Sequence, residues 1–242
     1  MIVCSIGDAS WAGETRVVGL QLYPKRSQFG QLQLMTGPEL WDGDKGYGYF
    51  IGAKSGLINR VCQSTMRAET HGQIKSTGSG DLLRATLAEV SGMTLTRNWQ
   101  NEVQSTRKHL WLTDCKSFHD YVTNPIAAGT EDVRLEIDLE QIRQDLWEFT
   151  DGSPKDHLEE EQHNKVRWID TSTMLADCVT KYPKLKADRD NKVRLVQFLQ
   201  TCELDFSPSP EAQMKKVYQQ SLRAKAKARK NELKLKSHEC EI

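Results

Sequence analysis

The order of hydrophobic runs predicts an α/β domain: a five-stranded mixed sheet, three antiparallel strands followed by two parallel ones, flanked by helices and ending in a C-terminal helical extension. Three observations carry this prediction. Three apolar or alternating runs lie between residues 1 and 53, joined by polar links that suit an antiparallel meander. A long helical stretch then separates them from a fourth apolar run, as a crossover to a parallel strand requires. Further helical periodicity brackets a fifth short run.

Met1 to Gly7 is a nearly continuous apolar run (Ile2, Val3, Cys4, Ile6), the pattern of a strand covered on both faces, and Asp8 follows at its end. Residues 14–28 are polar and predict a loop. Phe29 to Thr36 alternates and predicts a second strand, and Tyr47 to Ala53 a third, across turn chemistry at Gly37-Pro38 and Trp41 to Gly46. Ser64 and Thr65 are suitable caps for a helix over 64–90. Gly78 and Gly80 each cost about 1 kcal/mol relative to Ala in a helix interior, so a break is expected there, with Asp81 capping a second segment. His109 to Thr113 predicts a fourth strand ending at Asp114, and Ser117 to Val122 a short helix closed by Asn124-Pro125. Leu135, Leu139, Ile142, Leu146 and Phe149 step by three and four, so Val133 to Phe149 is an amphipathic helix. Residues 151–162 are polar and acidic, a loop. Val166 to Ile169 is the fifth strand, and Thr171 or Ser172 caps a helix carrying Asp177. Asn191 to Glu203 is a further amphipathic helix.

With 242 residues and a formal net charge of zero, the chain can bury a full core, and overall charge points to no partner. No run reaches the roughly 18–20 apolar residues of a membrane span, and the apolar start is too short for a secretion signal. The six cysteines form no C-x-x-C pair, which predicts reduced thiols in an intracellular protein, cytoplasmic or nuclear.

Asp8 and Asp114 each end an apolar strand. If these strands are parallel neighbours, both carboxylates emerge at one edge of the sheet, where ligand sites of such sheets lie. Glu69, in the first turns of the crossover helix, can point to the same spot, and Asp177 can close the ring. Four uncompensated carboxylates repel one another, and a divalent cation resolves the repulsion. Hard oxygen ligands favour Mg²⁺ or Mn²⁺, and two such ions about 3.5–4 Å apart suit phosphodiester hydrolysis.

These residues sit in four ordered blocks: Ser5-Ile6-Gly7-Asp8-Ala9-Ser10-Trp11-Ala12-Gly13, Ser64-Thr65-Met66-Arg67-Ala68-Glu69-Thr70, Leu112-Thr113-Asp114-Cys115-Lys116-Ser117 and Leu175-Ala176-Asp177-Cys178-Val179-Thr180-Lys181. From about residue 3 to residue 183, the chain resembles the ribonuclease H domain that ends the Pol polyprotein of copia-type LTR retrotransposons. The resemblance implies a ribonuclease H-like fold. It implies Asp8, Glu69, Asp114 and Asp177 as catalytic, metal-binding acids, with two Mg²⁺ or Mn²⁺ ions as cofactors. The implied reaction is hydrolysis of the RNA strand of an RNA–DNA hybrid, with the reverse transcriptase segment of the same polyprotein as a further partner. Ser64, Thr65, Lys116 and Ser117 flank the acids and are the implied contacts to nucleic-acid backbone or 2′-OH groups. The chain departs from the family at Cys115 and Lys116, where the family has Asn and Gln. It also departs at Ser10 and in the glycine-rich stretch 72–81, and Thr171 and Ser172 occupy the loop before the last helix where some ribonucleases H place a mobile His. A non-catalytic nucleic-acid-binding module of the same fold is the alternative.

Other features have plainer readings. Trp11 and Trp111 suit a core, and Cys115 and Cys178 suit small buried sites. His157, Glu160 and His163 lie in a polar loop and suit solvent. Gly52-Ala53-Lys54-Ser55 lacks the glycine placement of a phosphate loop. The expected organisation is a catalytic domain over 1–183, an accessory helix over 184–206 and a basic helical or disordered tail over 207–242, whose lysines and arginines suit phosphate binding.

Overall fold

The structure, a computed structural model, describes residues 1–18, 21–104, 107–124, 126, 129–146, 149–150, 153–154, 163–180 and 186–208, with positions 210, 213–214, 218 and 221 beyond them. Two units divide the chain, Met1–Ser207 and Pro208–Ile242. The second, which holds the predicted basic tail, lies almost wholly outside the described residues.

The first unit is a mixed α/β structure. Its strands are β1 (Ile2–Val18), β2 (Gln21–Thr36), β3 (Lys45–Leu57), β4 (His109–Thr113), a two-residue pair β5 (Phe149–Thr150) and β6 (Ser153–Pro154), β7 (Asn164–Trp168) and β8 (Glu203–Asp205). The main sheet has six strands in the order β7-β4-β1-β2-β3-β8. β1, β2 and β3 form the expected antiparallel meander, and β4 and β7 join β1 in parallel.

The sixth strand corrects the five-strand prediction. Glu203–Asp205 pairs antiparallel with Lys45–Tyr47, where a helix had been expected to run on to residue 203. Cys202, at φ 60°, adopts the left-handed conformation that ends helices and turns the chain into β8. The 14–28 loop is also corrected. β1 continues to Val18 and pairs with β2 from Gln21, with irregular register near Glu14. A two-stranded ribbon held by backbone hydrogen bonds needs no apolar period, so composition alone does not reveal it.

The helices are α1 (Thr65–Val90), α2 (Trp99–Gln104), α3 (Lys116–Thr123), α4 (Val133–Leu146), α5 (Asp177–Thr180) and α6 (Lys186–Thr201). Ser64 caps α1, its hydroxyl accepting the Arg67 N–H. α1 does not break at Gly78 or Gly80. A Cβ at Gly80 would overlap His109 and Ser5, and a Cβ at Gly72 would lie 3.1 Å from the Asp8 carbonyl oxygen. These small residues let the helix lie close on β1 and β4, and the burial gained exceeds the local propensity cost.

Leu110 and Leu112 face one core layer with Ile2, Cys4, Ile6, Leu32, Leu34 and Phe198. Trp111 faces the other with Phe118, Leu135, Leu139, Ile142 and Val166. Trp111 is thus core, as expected, while the Trp11 side chain lies outside the described residues. Phe198 of α6 packs in the first of these layers. No helix among the described residues is long and apolar enough to cross a membrane.

Candidate metal centre

Register brings the first two acids together. Ile6 of β1 is level with Leu112 of β4 in the parallel ladder. Two residues further along each chain stand Asp8 and Asp114, at one level beyond the last paired rung. Asp8 is in phase with Cys4 and Ile6 on the two-residue alternation of the strand. It lies within β1 and not at its end, because the strand runs on; only the pairing with β4 stops short of it. Glu69 comes from the second turn of α1, at the place where Gly72 allows the helix to touch the Asp8 backbone. One carboxylate oxygen from each of Asp8, Glu69 and Asp114 lies within 4.8 Å of the other two, and among the described residues this is the one such set of three.

Asp8 and Glu69 are buried and Asp114 is half-buried. Each pair of like charges at about 5 Å costs roughly 3 kcal/mol at an effective dielectric of about 20. A cation between them converts the repulsion into attraction, and an all-oxygen set suits a hard divalent ion. The acidic triad could therefore hold a metal ion.

The protein fixes each acid through a neighbour. The Ala9 N–H donates to Glu69 Oε2 at 3.1 Å. The Thr180 hydroxyl donates to Asp8 Oδ2. The Trp168 indole N–H donates to the Asp114 carbonyl oxygen at 2.9 Å, and the Cys115 N–H to the Thr113 hydroxyl at 3.2 Å.

Asp177, expected to complete a ring of four, is not in the three-acid group. It is buried at the start of α5, and its Oδ2 accepts a hydrogen bond of 3.2 Å from Asn191 Nδ2 of α6. The last block instead delivers Thr180 to Asp8. Gly30 makes this possible. It is the β2 residue opposite Asp8, and a Cβ there would lie 2.7 Å from Val179 Cγ2 and would overlap Thr180. Gly30, Thr180, Asn191 and Trp168 were all missed from sequence. Gly30 sits in an alternating strand with no turn signal, and the others matter only through contacts distant in sequence.

Ser64 and Thr65 are exposed at the start of α1, and Lys116 and Ser117 are exposed at the start of α3, directly after the third acid. The Ser64 hydroxyl is engaged as the helix cap, and the Lys116 ammonium lies 2.9 Å from Asp120 Oδ1. Arg60, Gln63, Arg67, Arg134 and Asp138 line a groove of about 580 Å³ at the same end of α1. Of the alternative metal ligands, His157 and Glu160 lie outside the described residues, and the His163 carbonyl accepts the His109 N–H at 2.8 Å.

No protein-family model matches the chain, and no curated protein matches it.

Proposed function

We propose that the chain is a metal-dependent ribonuclease of the ribonuclease H type, with the ribonuclease H-like fold, acting on the RNA strand of RNA–DNA hybrids in a retrotransposon setting. The observation that carries this reading is the convergence of Asp8, Glu69 and Asp114, from three separate segments, at the edge of the sheet where the parallel strands end. These three side chains would hold Mg²⁺ or Mn²⁺. The bound ions would activate a water and neutralise the charge developing on the phosphodiester. Lys116, Ser117 and Thr65 are exposed beside the acids, where backbone and 2′-OH contacts would fall. The arginine-lined groove supports phosphate contacts further along a duplex.

The test is cleavage of a labelled hybrid with Mg²⁺ or Mn²⁺, with Asp114→Asn as control. The proposal expects divalent-dependent cutting of the RNA strand by the wild-type chain alone, and an intact hybrid under all conditions refutes it. Equal cutting of duplex DNA would point to a DNA nuclease instead.

A second reading, a nucleic-acid-binding module without catalysis, is favoured by one observation: Asp177 is engaged by Asn191 and stands outside the acid group. It expects salt-sensitive hybrid binding without cleavage, unaffected by Asp8→Asn and weakened by removal of residues 211–242.

A further inference from the structure

We propose that Trp168 is the positioning residue of the third acid: its indole N–H clamps the Asp114 carbonyl and so sets the affinity of the acid group for a divalent cation. This rests on reading Asp8, Glu69 and Asp114 as a metal site. The parallel ladder between β4 and β7 ends at the pair Thr113 and Trp168, with the Ile169 N–H donating to the Thr113 carbonyl at 2.9 Å. Beyond that rung the two chains part. Asp170 turns away to cap a 3-10 turn, its carboxylate accepting the Ser172 N–H and hydroxyl at 3.0 and 2.7 Å. Asp114 is therefore one residue past the last main-chain rung, and its carbonyl receives a side-chain donor in place of the missing strand.

A tryptophan suits that task. It is long enough to reach across one rung, it is a donor only, and its ring has few torsions to lose on ordering. The Lys116 ammonium also lies 6.0 Å from the centroid of the same ring. Trp168 thus meets the Asp114-Cys115-Lys116 segment at its first and its last residue. Ala9 and Thr180 bond directly to carboxylate oxygens of the other two acids. For Asp114, the Trp168 bond falls on the backbone carbonyl, which limits where its carboxylate can swing. Groups that orient ligands in this way typically change metal affinity by about 10–100-fold when removed.

The experiment compares Mn²⁺ affinity by calorimetry in wild-type and Trp168→Phe proteins of full length, together with their melting temperatures without metal. Phenylalanine keeps the ring and deletes the donor. The expected result is about a tenfold weaker Mn²⁺ affinity, a melting temperature within a few degrees of wild type, and a lower kcat on hybrid with KM unchanged. Equal Mn²⁺ affinity in the two proteins overturns the clamp while leaving the metal site standing. Absence of Mn²⁺ binding by the wild-type chain overturns both. A second measurement holds even if the variant folds poorly: in the wild-type protein the Trp168 indole proton should exchange slowly with deuterium, and rapid exchange overturns the clamp.

Discussion

Two polar clusters lie along the single helix α1, and they are opposites. Near its start, Glu69 meets Asp8 and Asp114, three acids of one sign. Near its end, Asp81 and Arg84 meet His109, Ser5, Gln33 and Asn164, a cluster that balances itself. Ser5 donates to Gln33 Oε1 at 2.6 Å and lies 2.7 Å from His109 Nε2, and His109 Nδ1 lies 3.1 Å from Asp81. Arg84 reaches Asp81, Asn164 and the Val103 carbonyl at 3.1, 2.9 and 3.2 Å. Burial pushes the Asp81 carboxyl up, but His109 and Arg84 outweigh it and hold the group below its usual range. Ser5, His109 and Asp81 are connected in the order of a hydrolase triad, yet Ser5 and His109 are 0% exposed, so no substrate carbonyl can reach them. A buried cluster that contains its own counter-charge serves the fold. A cluster of one sign, with an oxygen from each acid within 4.8 Å of the others, could hold a metal ion.

The sharpest break of this contrast is Arg84→Ala. It removes the guanidinium from the buried Asn164 Oδ1 and Val103 carbonyl and from Asp81, which keeps His109, and is expected to destabilise the chain by about 3–5 kcal/mol in urea unfolding. Mg²⁺ or Mn²⁺ should restore none of that loss beyond its effect on the wild type. The acid cluster should behave in the reverse way. If the triad holds the ion, Mn²⁺ at about 100 times its dissociation constant should stabilise the wild type by about 2.7 kcal/mol. Asp8→Asn should show no such gain while matching or exceeding wild-type stability without metal, because one repulsive charge is gone. Thermal melts with and without Mn²⁺ read both effects.

Gly30→Val tests the link between the acid site and α5. The added methyls collide with Val179 and Thr180. The overpacking should cost about 1–3 kcal/mol, and Mn²⁺ affinity should fall as Thr180 leaves Asp8.

The smallest expected effect concerns Asp145, on α4 beside Asp81 and Arg84. Burial, then the Asp81 charge, raise its carboxyl to about 6 from 3.8. A raised folded value means stability that is full below about 4 and lost as pH rises through about 6. Asp145→Asn should therefore stabilise the chain at pH 7.5, by about 1 kcal/mol or less given partial solvation, and the gain should vanish near pH 4. His109 runs the other way: burial holds its imidazole below 6.5, so its contribution is full above 6.5 and is lost as pH falls below that value. Urea curves across pH 4–8 separate the two, with His109→Gln removing the second.

Much of this contrast was legible before folding. The apolar runs of β1 and β4, the caps of α1 and the three- and four-residue steps of α4 are local signals, and each became the expected element, except that α4 ends at Leu146 and Phe149, its expected last step, stands in β5. The convergence of Asp8, Glu69 and Asp114 was legible too, as an ordered set of two acids that follow apolar runs and one early in the crossover helix. The 14–28 ribbon, β8 and the unbroken α1 were not. A ribbon is held by backbone bonds that carry no side-chain period, and Gly72 and Gly80 of α1 are explained only by what lies within about 3 Å of them. The balanced cluster was equally hidden, because Ser5, Gln33, Asp81, Arg84, His109 and Asn164 share no spacing.

Asp177 marks the boundary. Sequence by itself determined that an acid would stand early in a late helical turn that follows the last predicted strand, because the cap and apolar signals there are local. Only the tertiary structure decided which atom of that turn faces Asp8. Gly30 leaves room for Thr180, and Asn191 of α6 takes the Asp177 carboxylate. Local pattern sets where an element begins and which face it buries. The partner of a single carboxylate depends on contacts of a few ångströms between segments far apart in the chain, and those exist only once the layers have packed.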